Sequence, residues 1–74
     1  MTTLDNRGLQ PPQPMIRTLD KLEELEFEEL EPGEQLSIIN DRRPMFLFQE
    51  LDEQGIRYEC EPYEDGGFII TIYK

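Results

Sequence analysis

Thr2-Thr3-Leu4-Asp5-Asn6-Arg7-Gly8-Leu9-Gln10-Pro11-Pro12-Gln13-Pro14 changes its backbone preference from one end to the other. The first four residues suit a short strand, and Asn6-Arg7-Gly8 allows a tight reversal because asparagine and glycine accept conformations that other residues resist. Pro11, Pro12 and Pro14 are tolerated only before or within the first turn of a helix, so a regular helix is predicted from Gln13–Met15. At about 100° per residue, Met15, Leu19 and Leu22 fall within roughly 60° of one another, with Ile16 and Leu25 at the margins. Glu26 lands inside that stripe, which predicts a loosened helix end near Leu25–Phe27. Glu23-Glu24-Leu25-Glu26 and Glu28-Glu29-Leu30-Glu31 read as a local five-residue duplication, an added turn.

Beyond Pro32-Gly33, Gln35–Asn40 reads as a strand with Leu36 and Ile38 on one face. Asn40 or Asp41, a few residues before Pro44, signals a helix start, and a second helix is predicted over Pro44–Gln54 with Gly55 just past its end. Its core stripe is Leu47, Phe48 and Leu51; Phe46 points about 160° from Phe48 and has no seat in a two-layer core. Ile56–Glu61 alternates with period two, and Glu64-Asp65-Gly66-Gly67 turns the chain into Phe68–Tyr73. The order is βαβαββ. Two strand–helix–strand passages call for parallel neighbours, and the closing hairpin adds an antiparallel strand. The fold class is therefore an α/β two-layer sandwich, a four-stranded mixed sheet with two helices on one face, forming one domain over residues 1–74. Ile39, Ile69 and Tyr73 take the opposite parity, so the second face is either partly covered or meets a partner.

The sequence has 74 residues, 17 acidic and 7 basic side chains, one cysteine and no histidine, for a net charge of −10. Such a chain can bury only about 60–65% of its surface in a single modest core, leaving about 4,800 Å² exposed. One cysteine excludes an intrachain disulfide and favours a reducing compartment. Without histidine there is no Ser-His or Cys-His pair and no imidazole metal ligand. Met45–Phe48 is far shorter than the ~20 residues a bilayer span needs. A cytoplasmic location is expected, with no membrane association and no cofactor or metal. Residues 19–34 carry eight carboxylates against one lysine, a net −7 of the chain's −10. Leucine interleaved with glutamate is ordinarily a solvated helix face, an acidic docking surface being the alternative. Clustered cations for a phosphate backbone are lacking, so no nucleic acid is expected as partner.

Leu4–Pro14 resembles the opening of the TusA-like (SirA/YedF-type) sulfur-carrier proteins, whose Leu-Asp-x-Arg-Gly-Leu-x-Cys-Pro-x-Pro signature leaves the first strand and enters the first helix. The resemblance extends through the leucine-spaced helix, Pro32-Gly33-Glu34, the polar turn before the second helix and Asp65-Gly66-Gly67. It implies strand order 1-2-4-3, the last strand antiparallel to the others. The carriers' persulfide-bearing cysteine falls on Pro11, which offers no nucleophile and no N–H. Pro-Pro-x-Pro, with Asn40-Asp41-x-x-Pro44, Leu47 and Leu51, resembles a related family of uncharacterised TusA-like domains in which that cysteine is replaced. The resemblance therefore implies no sulfur relay at this site.

Two loops, Asn6–Gln10 and Asn40–Arg43, follow what should be parallel strands and so share the carboxyl edge where open α/β sheets place ligands. Two helix N-termini meet there with three of the five arginines. Arg7, Gln10, Asn40, Asp41, Arg42 and Arg43 are the candidate ligand-binding residues, and Phe46 the candidate partner contact. The competing reading pairs Arg7 with Asp5 or Asp41, uses Asn40 or Asp41 as a helix cap and leaves Arg42 and Arg43 solvated. Prolines remove donors from the first helix, against a strong phosphate site. Cys60 lies mid-strand, where a thiol behaves as a small hydrophobe. The expected function is a non-catalytic binding or regulatory module, not an enzyme, contacting a protein partner or a small anion as a monomer or weak homodimer. The alternative is an accessory sulfur carrier using Cys60.

Overall fold

The computed structural model describes residues 2–25, 31, 33–64 and 66–74. The elements are β1 (Thr2–Asp5), α1 (Gln13–Glu24), β2 (Gln35–Asn40), α2 (Met45–Glu53), β3 (Arg57–Tyr63) and β4 (Gly67–Tyr73). The chain is thus βαβαββ, as the sequence predicts, with helix and strand ends shifted by one or two residues. The helix end near Phe27 and the five-residue duplication fall largely outside the described residues.

The sheet order is β1-β2-β4-β3. β1 runs parallel to β2, with Leu4 beside Ile38, while β4 is antiparallel to both β2 and β3. Parallel neighbours are realised only for β1 and β2; between β2 and β3 the last strand is inserted. Composition explains the exchange. β4 is the most apolar strand and buries Ile70 and Ile72 completely in a central position. β3 carries Arg57, Glu59, Glu61 and Pro62, and takes the edge, where charges and a missing N–H are tolerated.

Leu36, Ile38, Ile70 and Ile72 form the sheet side of the core, and Leu47, Phe48 and Leu51 of α2 pack onto it. Leu19, Leu22 and Leu25 approach the same cluster from α1, so both helices cover one face. The Phe48 ring stacks on Tyr58 at 4.7 Å between centroids. α2 ends as the sequence requires: Gly55 has φ +69°, Ile56 N–H donates to Leu51 O (2.9 Å) and Gly55 N–H to Asp52 O (3.1 Å). That double bond satisfies two of the helix's last carbonyls. On the other face Ile39 is only 7% exposed. Long side chains lie across that face, with the Arg57 guanidinium 4.9 Å from the Tyr73 ring and Arg7 5.8 Å from Tyr63. The accessible surface is 5,075 Å², close to the area expected for this mass.

Leu51 is fully buried between α2 and the sheet. Leu51→Ala is expected to destabilise by about 2–5 kcal/mol through lost burial and the cavity left behind. A domain of this size has roughly 4–11 kcal/mol in total, so urea unfolding should show a large fall in midpoint with little change in slope.

Candidate functional site

The loops after β1 and β2 are drawn together by side chains that neither loop could satisfy alone. Asn6 N–H extends the β1–β2 ladder by donating to Ile39 O (2.8 Å). Its side chain is completely buried, and Nδ2 donates to Asn40 Oδ1 (3.1 Å), Thr18 Oγ1 (3.3 Å) and Pro14 O (3.3 Å). Thr18, also fully buried, donates its hydroxyl to Pro14 O at 2.8 Å. One amide therefore ties the end of β1 to the first turns of α1 and to the end of β2. Asp41 Oδ2 accepts from Gly8 N–H at 2.7 Å and closes the two loops on each other. Gly8 has φ +86°, a conformation that a Cβ would strain.

Between the loops lies an open cleft of about 670 Å³, with Leu9–Pro12, Pro14 and Met15 on one side and residues 40–47 on the other. Asn40 and Asp41 do not cap α2, because their side chains go to Asn6 and Gly8; the N-cap position is Pro44, without a side-chain bond. In the first turn of α2, Met45 N–H donates to Arg43 O and Phe48 N–H to Pro44 O, both at 3.0 Å. Phe46 and Leu47 N–H have no acceptor among the described residues. α1 begins at a Pro12 cap, also without a side-chain bond, and its prolines leave few donors. The partial positive charge at the cleft is thus weighted toward α2.

The structure brings Gln10, Asn40, Asp41, Arg42, Arg43 and Phe46 to the cleft. Asn40 and Asp41 are there mainly as structural members. Arg43 lies 5.9 Å over the Phe68 ring, and Arg42 has no carboxylate partner among the described residues. Phe46 is 78% exposed, as its place on the helix predicts, and Met45 beside it is 63% exposed. Arg7 does not line the cleft. It forms a two-pronged pair with Asp5 (2.7 and 3.0 Å) and reaches Glu64 at 3.6 Å, because Asp5 faces away from the core and draws it to the β3–β4 turn. That pair, reinforced by Arg7 N–H, holds the Asp5 carboxyl at about 2. Cys60 stands on β3 opposite Ile70, half-buried and not among the residues lining the cleft; burial pushes its thiol up, against the opposing effect of the Arg43 guanidinium. Among the described residues no group of acidic or cysteine side chains could hold a metal ion.

Sequence reasoning missed Thr18, Met45 and the buried role of Asn6. Thr18 sits at the margin of the apolar stripe, where a count of apolar residues passes over a hydroxyl.

A four-stranded sheet in the order 1-2-4-3, two helices on one face and a cleft at their N-termini define a small SirA/TusA-like α/β domain. The crystal structure of a SirA-like protein from Desulfitobacterium hafniense matches with TM-score 0.78 at 25% identity, covering 99% of this chain and 96% of that one. The chain belongs to the family described as "Uncharacterized conserved protein (DUF2249)", which matches residues 3–74. No curated protein matches it. No helix among the described residues is long and apolar enough to cross a membrane.

Two measurements probe this geometry. Arg7→Gln should move the Asp5 carboxyl midpoint from about 2 up toward its ordinary 3.8, read by side-chain carboxyl NMR. The folded value is depressed, so the pair stabilises above pH 3.8 and loses its contribution as pH falls toward 2. Asn6→Asp puts a carboxylate among Pro14 O and Asn40 Oδ1, in a completely buried position. Its carboxyl should titrate high, and thermal stability should fall as pH rises through neutrality, whereas the parent should show no such loss.

Proposed function

We propose that this domain is a non-catalytic binding module, of the branch in which proline replaces the carrier cysteine, and that it docks a protein partner or a small anion in the cleft between its two helix N-termini. The carrying observation is the character of that cleft. Where the resemblance places a persulfide cysteine stands Pro11, and around it are exposed Met45 and Phe46 beside Arg42 and Arg43. The wall can hold an apolar group and attract an anion, but it presents no nucleophile and no histidine. An acidic chain gains nothing from a nucleic-acid backbone, and a lone half-buried thiol suits a reducing compartment.

The carrier reading through Cys60 has weaker support. The thiol does not line the cleft, its ionisation is on balance disfavoured by burial, and a persulfide carrier needs an accessible thiolate.

Amide-shift mapping with sulfite, phosphate and short peptides tests the site. The expected result is movement confined to residues 8–15 and 40–47, unchanged in Cys60→Ser. Shifts restricted to Ile69, Thr71 and their sheet neighbours would place binding elsewhere. A persulfide donor that adds one sulfur mass to the parent and none to Cys60→Ser would replace this reading with the carrier.

A further inference from the structure

We propose that the outer face of the two helices docks a basic protein segment carrying one bulky apolar side chain, with the apolar group on Met45 and Phe46 and its lysines or arginines along the later helical turns. This surface goes beyond the cleft. It shares Met45 and Phe46 with the cleft wall and runs away from it down both helices.

The helix layer is divided along its length. α1 and α2 cover the same side of the sheet, and both start at the cleft, where Met15 faces Met45 and Phe46. β1 is parallel to β2, and β2 and β3 are both antiparallel to β4, so each helix returns the chain in the same direction. The exposed large hydrophobic residues among those described are Ile16, near the start of α1, and Met45 and Phe46, at the start of α2. At about 100° per residue, Asp20 and Glu23 fall within roughly 40° of Ile16, and Glu50 and Glu53 within roughly 40° of Phe46. Each outer stripe therefore begins apolar and continues acidic.

Charge commits the occupant. The later turns carry Asp20, Glu23, Glu24, Glu50, Asp52 and Glu53 against Lys21, which Glu24 already holds at 3.4 Å. α2 has no acidic residue in its first turn and no basic one in its last, and Glu23 and Glu24 close α1. That is the reverse of what the helix dipole favours, so a cation brought to these ends is attracted by carboxylates and end carbonyls alike. The net charge of −10 adds a long-range attraction of the same sign. Arg42 and Arg43 precede α2 at the opposite end, where they repel a cation and so fix which way the segment lies. The helical rise puts Glu50 and Glu53 about 6 and 10 Å beyond Phe46, which sets the spacing between the partner's apolar group and its cations.

The test titrates the full chain with a ten-residue peptide that has tryptophan near one end and four lysines beyond it. Alanine in place of tryptophan, and glutamate in place of the lysines, give the comparison peptides. Affinity is read from amide shifts at Ile16, Asp20, Phe46, Glu50 and Glu53. The lysine–tryptophan peptide should bind about tenfold or more tightly than either comparison peptide, and high salt should weaken it several-fold. Phe46→Ala should weaken it about tenfold. Glu50→Gln with Glu53→Gln should weaken it several-fold at low salt, whereas Glu59→Gln with Glu61→Gln, an equal change of net charge on β3, should have an effect of about twofold or less. All these variants change surface residues, and amide dispersion verifies folding. A nitroxide on the lysine end should broaden Glu50 and Glu53 more than Gln10 and Arg42. Equal weakening by the two double variants would reduce the attraction to net charge and overturn the proposal. So would tighter binding of the glutamate peptide, broadening strongest at Gln10 and Arg42, or a dimer in sedimentation whose interface is the helix face. Those outcomes leave the module reading of the cleft standing, which fails separately when sulfite, phosphate and every peptide leave residues 8–12 and 40–43 unmoved.

Discussion

The buried side chain of Asn6 is the interaction on which the arrangement of the cleft depends. β1 has only four residues and pairs with one neighbour, so ladder bonds alone hold its end weakly. Asn6 extends that ladder with its N–H and reaches α1 and β2 with its amide. Burying an amide is unfavourable unless it is bonded; here Nδ2 is bonded while Oδ1 is buried with no partner among the described residues, so the bonds from Nδ2 must offset that loss. Once closed, this site fixes where α1 starts relative to the end of β2, and the cleft is the space left between those two starts.

The charges divide according to the same geometry. Asp5 and Arg7 leave the core side of the sheet and satisfy each other near the β3–β4 turn. Arg42 and Arg43 stay on the cleft side, where the Asp41 carboxylate is held by a backbone N–H of the facing loop. A strongly acidic chain thus keeps two arginines beside the most exposed aromatic ring among its described residues. The family relation shows the fold; Pro11 in the lining and the exposure of Phe46 give this cleft its own character.

Much of this was legible in local sequence pattern. Periodicity marks Leu47, Phe48 and Leu51 as core and leaves Phe46 without a seat, and the structure agrees because a helix face is a local property. The convergence of the two loops follows from β1 and β2 being parallel. What local pattern does not carry is long-range choice. Asn40 and Asp41 have the composition of helix caps, yet partners 34 and 33 residues away take their side chains. Arg7 could have paired with either neighbouring aspartate, and only the parity of Asp5 on the sheet decides it. The insertion of β4 between β2 and β3 is likewise a competition for the central position, settled by which strand has more apolar surface to hide.

That insertion has a consequence for how the domain comes into being. β2 and β3 have no hydrogen bonds to each other, and each relies on β4, the final strand in chain order. Until residues 67–73 are available, the growing chain holds one short parallel pair and an unpartnered β3, with Leu36 and Ile38 lacking the strand that covers their flank. The sheet cannot be assembled progressively from its first residue onward. It must wait for its last strand, which couples the integrity of the cleft, whose first wall lies at residues 9–15, to a segment some sixty residues further along the chain.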